Sequence, residues 1–126
     1  MRHAKLGRKL GRKTANRKAL MMNLASSLIE HKKIKTTDAK AKELRRFIEP
    51  LITFAKKGDI HSRRQVLKKI PQKTVVRELF DKIGPQYVDR KGGYTRIIKL
   101  GFRENDCAPI SLIEFVDFLS NSVEAG

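Results

Sequence analysis

The side chains able to do chemistry are few, and their spacing excludes most of it. Histidines stand at positions 3, 31 and 61 alone. His3 falls in an acid-free basic stretch, His31 at the end of a helical pattern and His61 at the start of another. Each has cationic neighbours that would repel a metal ion, so a converging set of imidazole donors is not expected. Cys107 is the single cysteine. An internal disulfide is impossible, a Cys-based zinc site is not expected, and a reducing cytoplasm fits. The carboxylates are scattered, whereas general acid–base work needs a pair in one cleft. Glu43 and Glu49 lie in a basic helical stretch and read as partners of Arg46 and Arg45 at helical spacing. No Gly-x-Ser-x-Gly or phosphate-loop spacing occurs, and Gly92-Gly93 is only a doublet. The chain reads as a non-enzyme without metal or cofactor.

What the chain does carry is hydrogen-bond donors for anions. Arginine offers a planar fork that fits phosphate oxygens, and lysine a mobile point charge. The first candidate group is Arg2, His3, Lys5, Arg8, Lys9, Arg12, Lys13, Arg17 and Lys18. A second is Lys35, Thr36 and Thr37, continued by Lys40, Lys42, Arg45 and Arg46. The two threonines can donate hydroxyls to phosphate or 2′-OH groups, or cap a helix; both roles are compatible, because a helix N-terminus also favours anions. Arg63 and Arg64 form a smaller pair that a solvated helix face explains equally well. The last group is Arg90, Lys91, Tyr94, Thr95 and Arg96 around the glycine doublet, which allows close backbone approach. Tyr94 either stacks on an unpaired base or packs in the core. Tryptophan is absent and aromatics make up 6%, which favours recognition of shape and phosphate over base stacking.

Charge placement supports this reading. The 126 residues carry 29 Lys and Arg against 13 Asp and Glu, a net +16. Such self-repulsion calls for a polyanionic partner. Residues 1–57 hold 17 basic and 4 acidic side chains, and residues 58–126 hold 12 and 9. After Arg103 only acids remain: Glu104, Asp106, Glu114, Asp117 and Glu124. The N-terminal half is therefore expected to face the polyanion, and the C-terminal end solvent or a basic neighbour. No run of about 18 apolar residues exists, so membrane insertion is not expected. Residues 1–10 lack the apolar region of a secretory signal. An Arg-rich, acid-free start also fits a mitochondrial transit peptide, but the predicted fold begins almost at once.

The elements that must position these groups follow from periodicity. Residues 1–14 read as an extended basic arm, residues 15–118 as one α+β domain, and residues 119–126 as a short acidic tail. Leu20, Leu24 and Leu28 predict a helix over about 16–31, with Asn16 as N-cap. Residues 33–37 alternate like a strand. Thr37 or Asp38 caps a second helix whose apolar face is Ala41, Leu44, Ile48, Leu51, Ile52 and Ala55. Pro50 is expected to kink or break it, and Gly58 to stop it. Asp59 caps a third helix facing inward through Val66, Leu67 and Ile70, ended by Pro71. A fourth runs through Val75, Val76, Leu79, Phe80 and Ile83 and stops at Gly84-Pro85. Residues 94–103 and 110–118 predict an antiparallel hairpin. The expected architecture is four helices packed on a small three-stranded sheet.

Several blocks, in order, resemble the bacterial large-subunit ribosomal protein family seventeen. They are Met1-Arg2-His3, Asn16-Arg17-Lys18-Ala19-Leu20, Asn23-Leu24, Ile34-Lys35-Thr36-Thr37, and Ala39 through Arg46. Leu51-Ile52-Thr53, Ala55-Lys56, Gly92-Gly93-Tyr94-Thr95-Arg96-Ile97, Ala108-Pro109 and Ile113-Glu114 continue the likeness over about residues 1–118. The resemblance implies an α/β domain beside a small sheet, contact with 23S rRNA near the exit of the polypeptide tunnel, and no catalysis. It also implies neighbouring large-subunit proteins as partners and a ribosome-bound place in a bacterial cytoplasm, with an organelle second. Two departures stand out: Asn16, where many relatives carry His, and Asn105-Asp106, where relatives often have Gly-Asp. The rival readings are a free-standing RNA- or DNA-binding protein or RNA chaperone, an RNA-modifying enzyme, and a basic peripheral membrane protein.

Overall fold

The computed structural model describes residues 14–118. Its helices are α1 (Thr14–His31), α2 (Asp38–Lys57), α3 (Ile60–Lys69) and α4 (Lys73–Glu78). Strand β1 (Lys33–Thr37) lies between α1 and α2, and β2 (Thr95–Phe102) and β3 (Pro109–Phe115) follow the helices. The class is α+β, as expected. The sheet is antiparallel in the order β1-β3-β2. Long helical connections separate β1 from the hairpin, so only the β2–β3 pairing is local.

Period-two alternation decides which sheet face is buried. Ile34, Ile113 and Ile97 stand in register across the three strands, and Ile113 is fully buried. Phe115 and Ser111, on the same face, are also buried. The helices cover that face. Ala25, Leu28 and Ile29 of α1 meet the full predicted stripe of α2, Ala41 through Ala55, all of it buried. Val66, Ile70, Val75, Val76, Leu79, Phe80 and Ile83 complete the core.

Local sequence departs from the structure at three points, and at the start of α2 the structure chooses between two expected caps. Helix α1 already includes Thr14 and Ala15, so Asn16 lies inside its first turn rather than capping it. Thr37, not Asp38, caps α2, its hydroxyl accepting from the Lys40 amide at 3.4 Å. Pro50 neither breaks nor ends α2, which runs unbroken to Lys57. An interior proline costs roughly 3 kcal/mol. Here it is exposed, while Ile48, Leu51 and Ile52 around it are buried. At about 1.5–3 kcal/mol for each large apolar side chain, that burial outweighs the proline.

The third departure is at Gly84-Pro85. The chain does not leave the helical path there. A π-helical turn, Leu79–Ile83, follows α4, and a 3-10 turn, Gly84–Tyr87, follows that. Pro85 enters at the start of the 3-10 turn, where its missing N–H is not needed. Gly84 is there for contact: a Cβ would lie 2.6 Å from the Ala55 carbonyl oxygen and 2.8 Å from its carbon. Its φ is −53°, an ordinary helical value, so propensity alone favours alanine. We expect the reverse. Gly84→Ala should destabilise the fold by about 1–3 kcal/mol, because backbone cannot yield as a flexible side chain does. Urea unfolding of the variant checks this, and an unchanged or raised midpoint would refute it.

Candidate nucleic-acid interface

Helix α2 presents two rows of polar side chains beside its buried stripe. Arg45, Glu49 and Lys56 are spaced to share one side, and all three reach the segment before β2. Arg45 donates to the Thr95 carbonyl at 2.9 Å. Lys56 donates to the Arg90 carbonyl and, at 2.9 Å, to the Tyr94 hydroxyl. Glu49 Oε2 accepts from the Tyr94 amide at 3.0 Å, the Thr95 amide at 3.1 Å and the Thr95 hydroxyl at 3.0 Å. The expected Glu49–Arg45 ion pair is therefore replaced by a carboxylate that anchors the entry to β2. An acceptor for three converging donors outweighs an exposed helix ion pair worth a few tenths of a kcal/mol.

This clamp sets the shape of segment 90–96. Gly92 and Gly93 take φ of 93° and 62°, a region that side chains disfavour. Tyr94 is 2% exposed. Its ring tilts against Tyr87 at 5.4 Å between centroids, and the Lys56 ammonium sits 5.1 Å over it. Burial would raise the Tyr94 phenol, but the hydrogen bond and charge of Lys56 hold it below its ordinary value. Tyr94 thus belongs to the core, and the base-stacking reading is set aside. Thr95 is also 2% exposed, with its hydroxyl given to Glu49, so its side chain is withdrawn from the surface too.

The cations of the same segment stay outside. Lys91 and Arg96 are exposed and Arg90 is half-buried. Arg90 pairs with Asp117 at 3.0 Å, and Arg96 forks onto Glu114 at 3.0 and 2.5 Å. These two acids belong to the stretch expected to face away from the polyanion. The structure folds both back onto the second basic site and lowers its charge, a consequence of β3 being central in the sheet.

The remaining candidates divide clearly. Lys42, Arg46 and Lys57 are exposed on the outer side of α2, where helical spacing lines them up. Lys42 is partly neutralised by Asp38 at 3.2 Å. The hydrogen bond from Ser111, then that from Lys42, holds the Asp38 carboxyl below the ordinary range. Lys40 is half-buried on the same helix. On α1, Lys18 is exposed and Arg17 half-buried. Lys35 is exposed on the outer sheet face, whereas Thr36 stands opposite buried Ser111 on the inner one. Arg63 stacks over Phe80 at 4.7 Å, so it covers the core as well as carrying charge, and Arg64 is exposed beside it. Arg2, His3, Lys5, Arg8, Lys9, Arg12 and Lys13 lie outside the described residues.

The structure therefore joins α2 and segment 90–96 into one basic surface. It does not tie α3 to that surface by any comparable bond. Nothing in the sequence pointed to Glu49 or Lys56 as the clamp, because their partners lie more than thirty positions away. Among the described residues no three His, Cys, Asp or Glu side chains are grouped to hold a metal ion, and no helix is long and apolar enough to cross a membrane.

Comparison with known proteins gives one family. Residues 20–116 match the model described as ribosomal protein L17. The chain is 56% identical over 117 residues to a protein of Dinoroseobacter shibae named large ribosomal subunit protein bL17, covering 93% of this chain and 85% of the relative. A protein of the same name from Syntrophus aciditrophicus is 49% identical over 122 residues, covering 97% of this chain and 98% of the relative. A third, from Syntrophotalea carbinolica, is 56% identical over 117 residues, 93% of this chain and 76% of the relative.

Proposed function

The chain belongs to the ribosomal protein L17 family, a family of structural components and not of enzymes, and from that premise we propose that it helps build the large ribosomal subunit. It binds 23S rRNA there, near the exit of the polypeptide tunnel, and is ribosome-bound in a bacterial cytoplasm. The observation that carries the reading is the surface made by α2 and segment 90–96. Arg46, Lys57 and Lys91 are exposed on it, and no ion pair among the described residues occupies them. Their backbone is fixed by the Arg45, Glu49 and Lys56 bonds. A rigid array of exposed cations reads the spacing of phosphates rather than the edges of bases.

The basic residues at 2–13 would add further cations to meet phosphate. The chain should co-sediment with large subunits through moderate salt washes, as measured by quantitative mass spectrometry of the washed particles. Recovery only in the soluble fraction would refute the proposal and favour a free-standing nucleic-acid-binding protein.

A further inference from the structure

Residues 60–77 hold six cations, Arg63, Arg64, Lys68, Lys69, Lys73 and Arg77, and no carboxylate. The stretch makes α3 and most of α4, with Val66, Ile70, Val75 and Val76 buried on its inner side. Arg64, Lys68, Lys69, Lys73 and Arg77 are exposed, and no ion pair among the described residues occupies them. Lys42, Arg90 and Arg96, on the other basic surface, each hold a carboxylate. The acids flanking the stretch are engaged elsewhere. Asp59 caps α3 through the Ser62 amide, and Glu78 is held by Lys32 and Lys82.

This arrangement works against the fold. Arg64 and Lys68 stand four residues apart on α3, and Lys73 and Arg77 do so on α4. Like charges at that spacing destabilise a helix. Lys73 is the first residue of α4, the end at which the helix dipole disfavours a cation. The dipole does favour Lys68 and Lys69 in the last turn of α3. It gives Arg77 little, because the π-helical turn continues the helical path beyond it. Only Ile70, Pro71 and Gln72 separate the two helices, so Lys68 and Lys69 end one where Lys73 begins the next. A self-repelling ridge of this kind is relieved by an anionic partner.

The chemistry of the ridge narrows the anion. Ile60 is the one exposed large apolar side chain of α3 and α4, too little to enter a bilayer as an interfacial helix must. A protein partner would need a desolvated core, from which lysine is depleted. The phosphates of an RNA backbone need neither. The ridge also stands apart from the surface on α2 and segment 90–96. Arg63 of α3 lies over Phe80 in the π-helical turn, whereas Tyr94 lies against Tyr87 in the 3-10 turn that follows. The helical path from Phe80 to Tyr87 covers roughly 10 Å at about 1.5 Å per residue.

We propose that the α3–α4 ridge is a second RNA contact, which takes backbone phosphates of rRNA through Arg64, Lys68, Lys73 and Arg77. The inference rests on the ribosomal reading above and extends it. The chain grips rRNA at two separated places, so two stretches of backbone are fixed relative to one another.

The test replaces those four residues by alanine together in the full chain. Relief of self-repulsion should leave Tm unchanged or raise it. The salt slope for 23S rRNA should become shallower by about 3.6, at about 0.9 per contact, so that the loss of affinity between about 50 and 200 mM shrinks roughly a hundredfold. Adding Lys91→Ala should take off about one more, because contacts that far apart contribute independently. In salt-washed large subunits irradiated with ultraviolet light, nucleotide adducts should map to peptides from residues 64–77. The inference alone is overturned by a slope that the fourfold variant leaves unchanged, by a clear fall in its Tm, or by no further change on adding Lys91→Ala. Nucleotide adducts confined to other peptides, or ridge peptides linked only to protein, overturn it equally. A flat slope in the unaltered chain, or its absence from washed subunits, overturns both this inference and the ribosomal reading.

Discussion

Affinity for isolated 23S rRNA is expected to fall roughly 10³–10⁵-fold between about 50 and 200 mM monovalent salt, the response when some six to ten phosphates are neutralised. Lys18, Lys35, Arg46, Lys57, Lys91 and Arg64 are exposed, and no ion pair among the described residues involves them. Arg2, Lys5, Arg8, Lys9, Arg12 and Lys13 add six more in the N-terminal segment. Each cation that meets a phosphate releases condensed counterions, and the logarithmic slope deepens by about 0.9 per contact on a duplex. Filter binding or fluorescence titration at four or five salt concentrations gives the slope directly. A flat response would exclude the electrostatic account.

The ion pairs make that prediction finer. Arg90 and Arg96 already hold the Asp117 and Glu114 carboxylates. Such pairs are exposed and individually weak, yet they compete with phosphate for the same guanidinium forks. Asp117→Asn and Glu114→Gln are each expected to deepen the salt slope by up to about one. Lys91→Ala should make it shallower by about one. If the carboxylate variants left both slope and affinity unchanged, segment 90–96 would not be meeting phosphate.

Much of this fold was legible because its causes are local. The apolar stripe Ala41 to Ala55 has the helical period, and all of it is buried. Asp59 caps α3 through the Ser62 amide at 2.7 Å, as its position before that helix suggested. Strand and hairpin followed from alternation, and the loop between β2 and β3 spans residues 103–108. The failures come where distant chain segments meet. Gly84 and Pro85 read as a stop, but the close approach of Ala55 makes that glycine part of a packed junction. Tyr94 looked equally suited to surface or core until Tyr87 and Lys56 enclosed it. The net positive charge was legible as a total. Its distribution was not, because β3 carries Glu114, and the turn after it Asp117, back beside Arg96 and Arg90.

Glu49 tests how far that non-local clamp governs the basic surface. Its single oxygen Oε2 accepts from two amides and one hydroxyl at the entry to β2, where Tyr94 and Thr95 are almost fully buried. Glu49→Ala removes the acceptor and leaves all three donors, and each unsatisfied buried donor costs about 1–3 kcal/mol. Partial access of water relieves some of that. The expected loss is about 3–4 kcal/mol of stability, seen as a fall in Tm of roughly 10 °C or more for a domain of this size. Glu49→Gln keeps a neutral acceptor and should cost only about 1 kcal/mol. Hydrogen exchange at the Tyr94 and Thr95 amides should quicken in Glu49→Ala at temperatures where the domain is still folded. Under those conditions its rRNA affinity should fall although no cation has been removed, because Arg90, Lys91 and Arg96 are no longer held in place. The same negative charge, were it only a poor neighbour to phosphate, would have the opposite effect: its removal would tighten binding. The sign of the affinity change in folded Glu49→Ala therefore separates a carboxylate that builds the interface from one that merely lies near it.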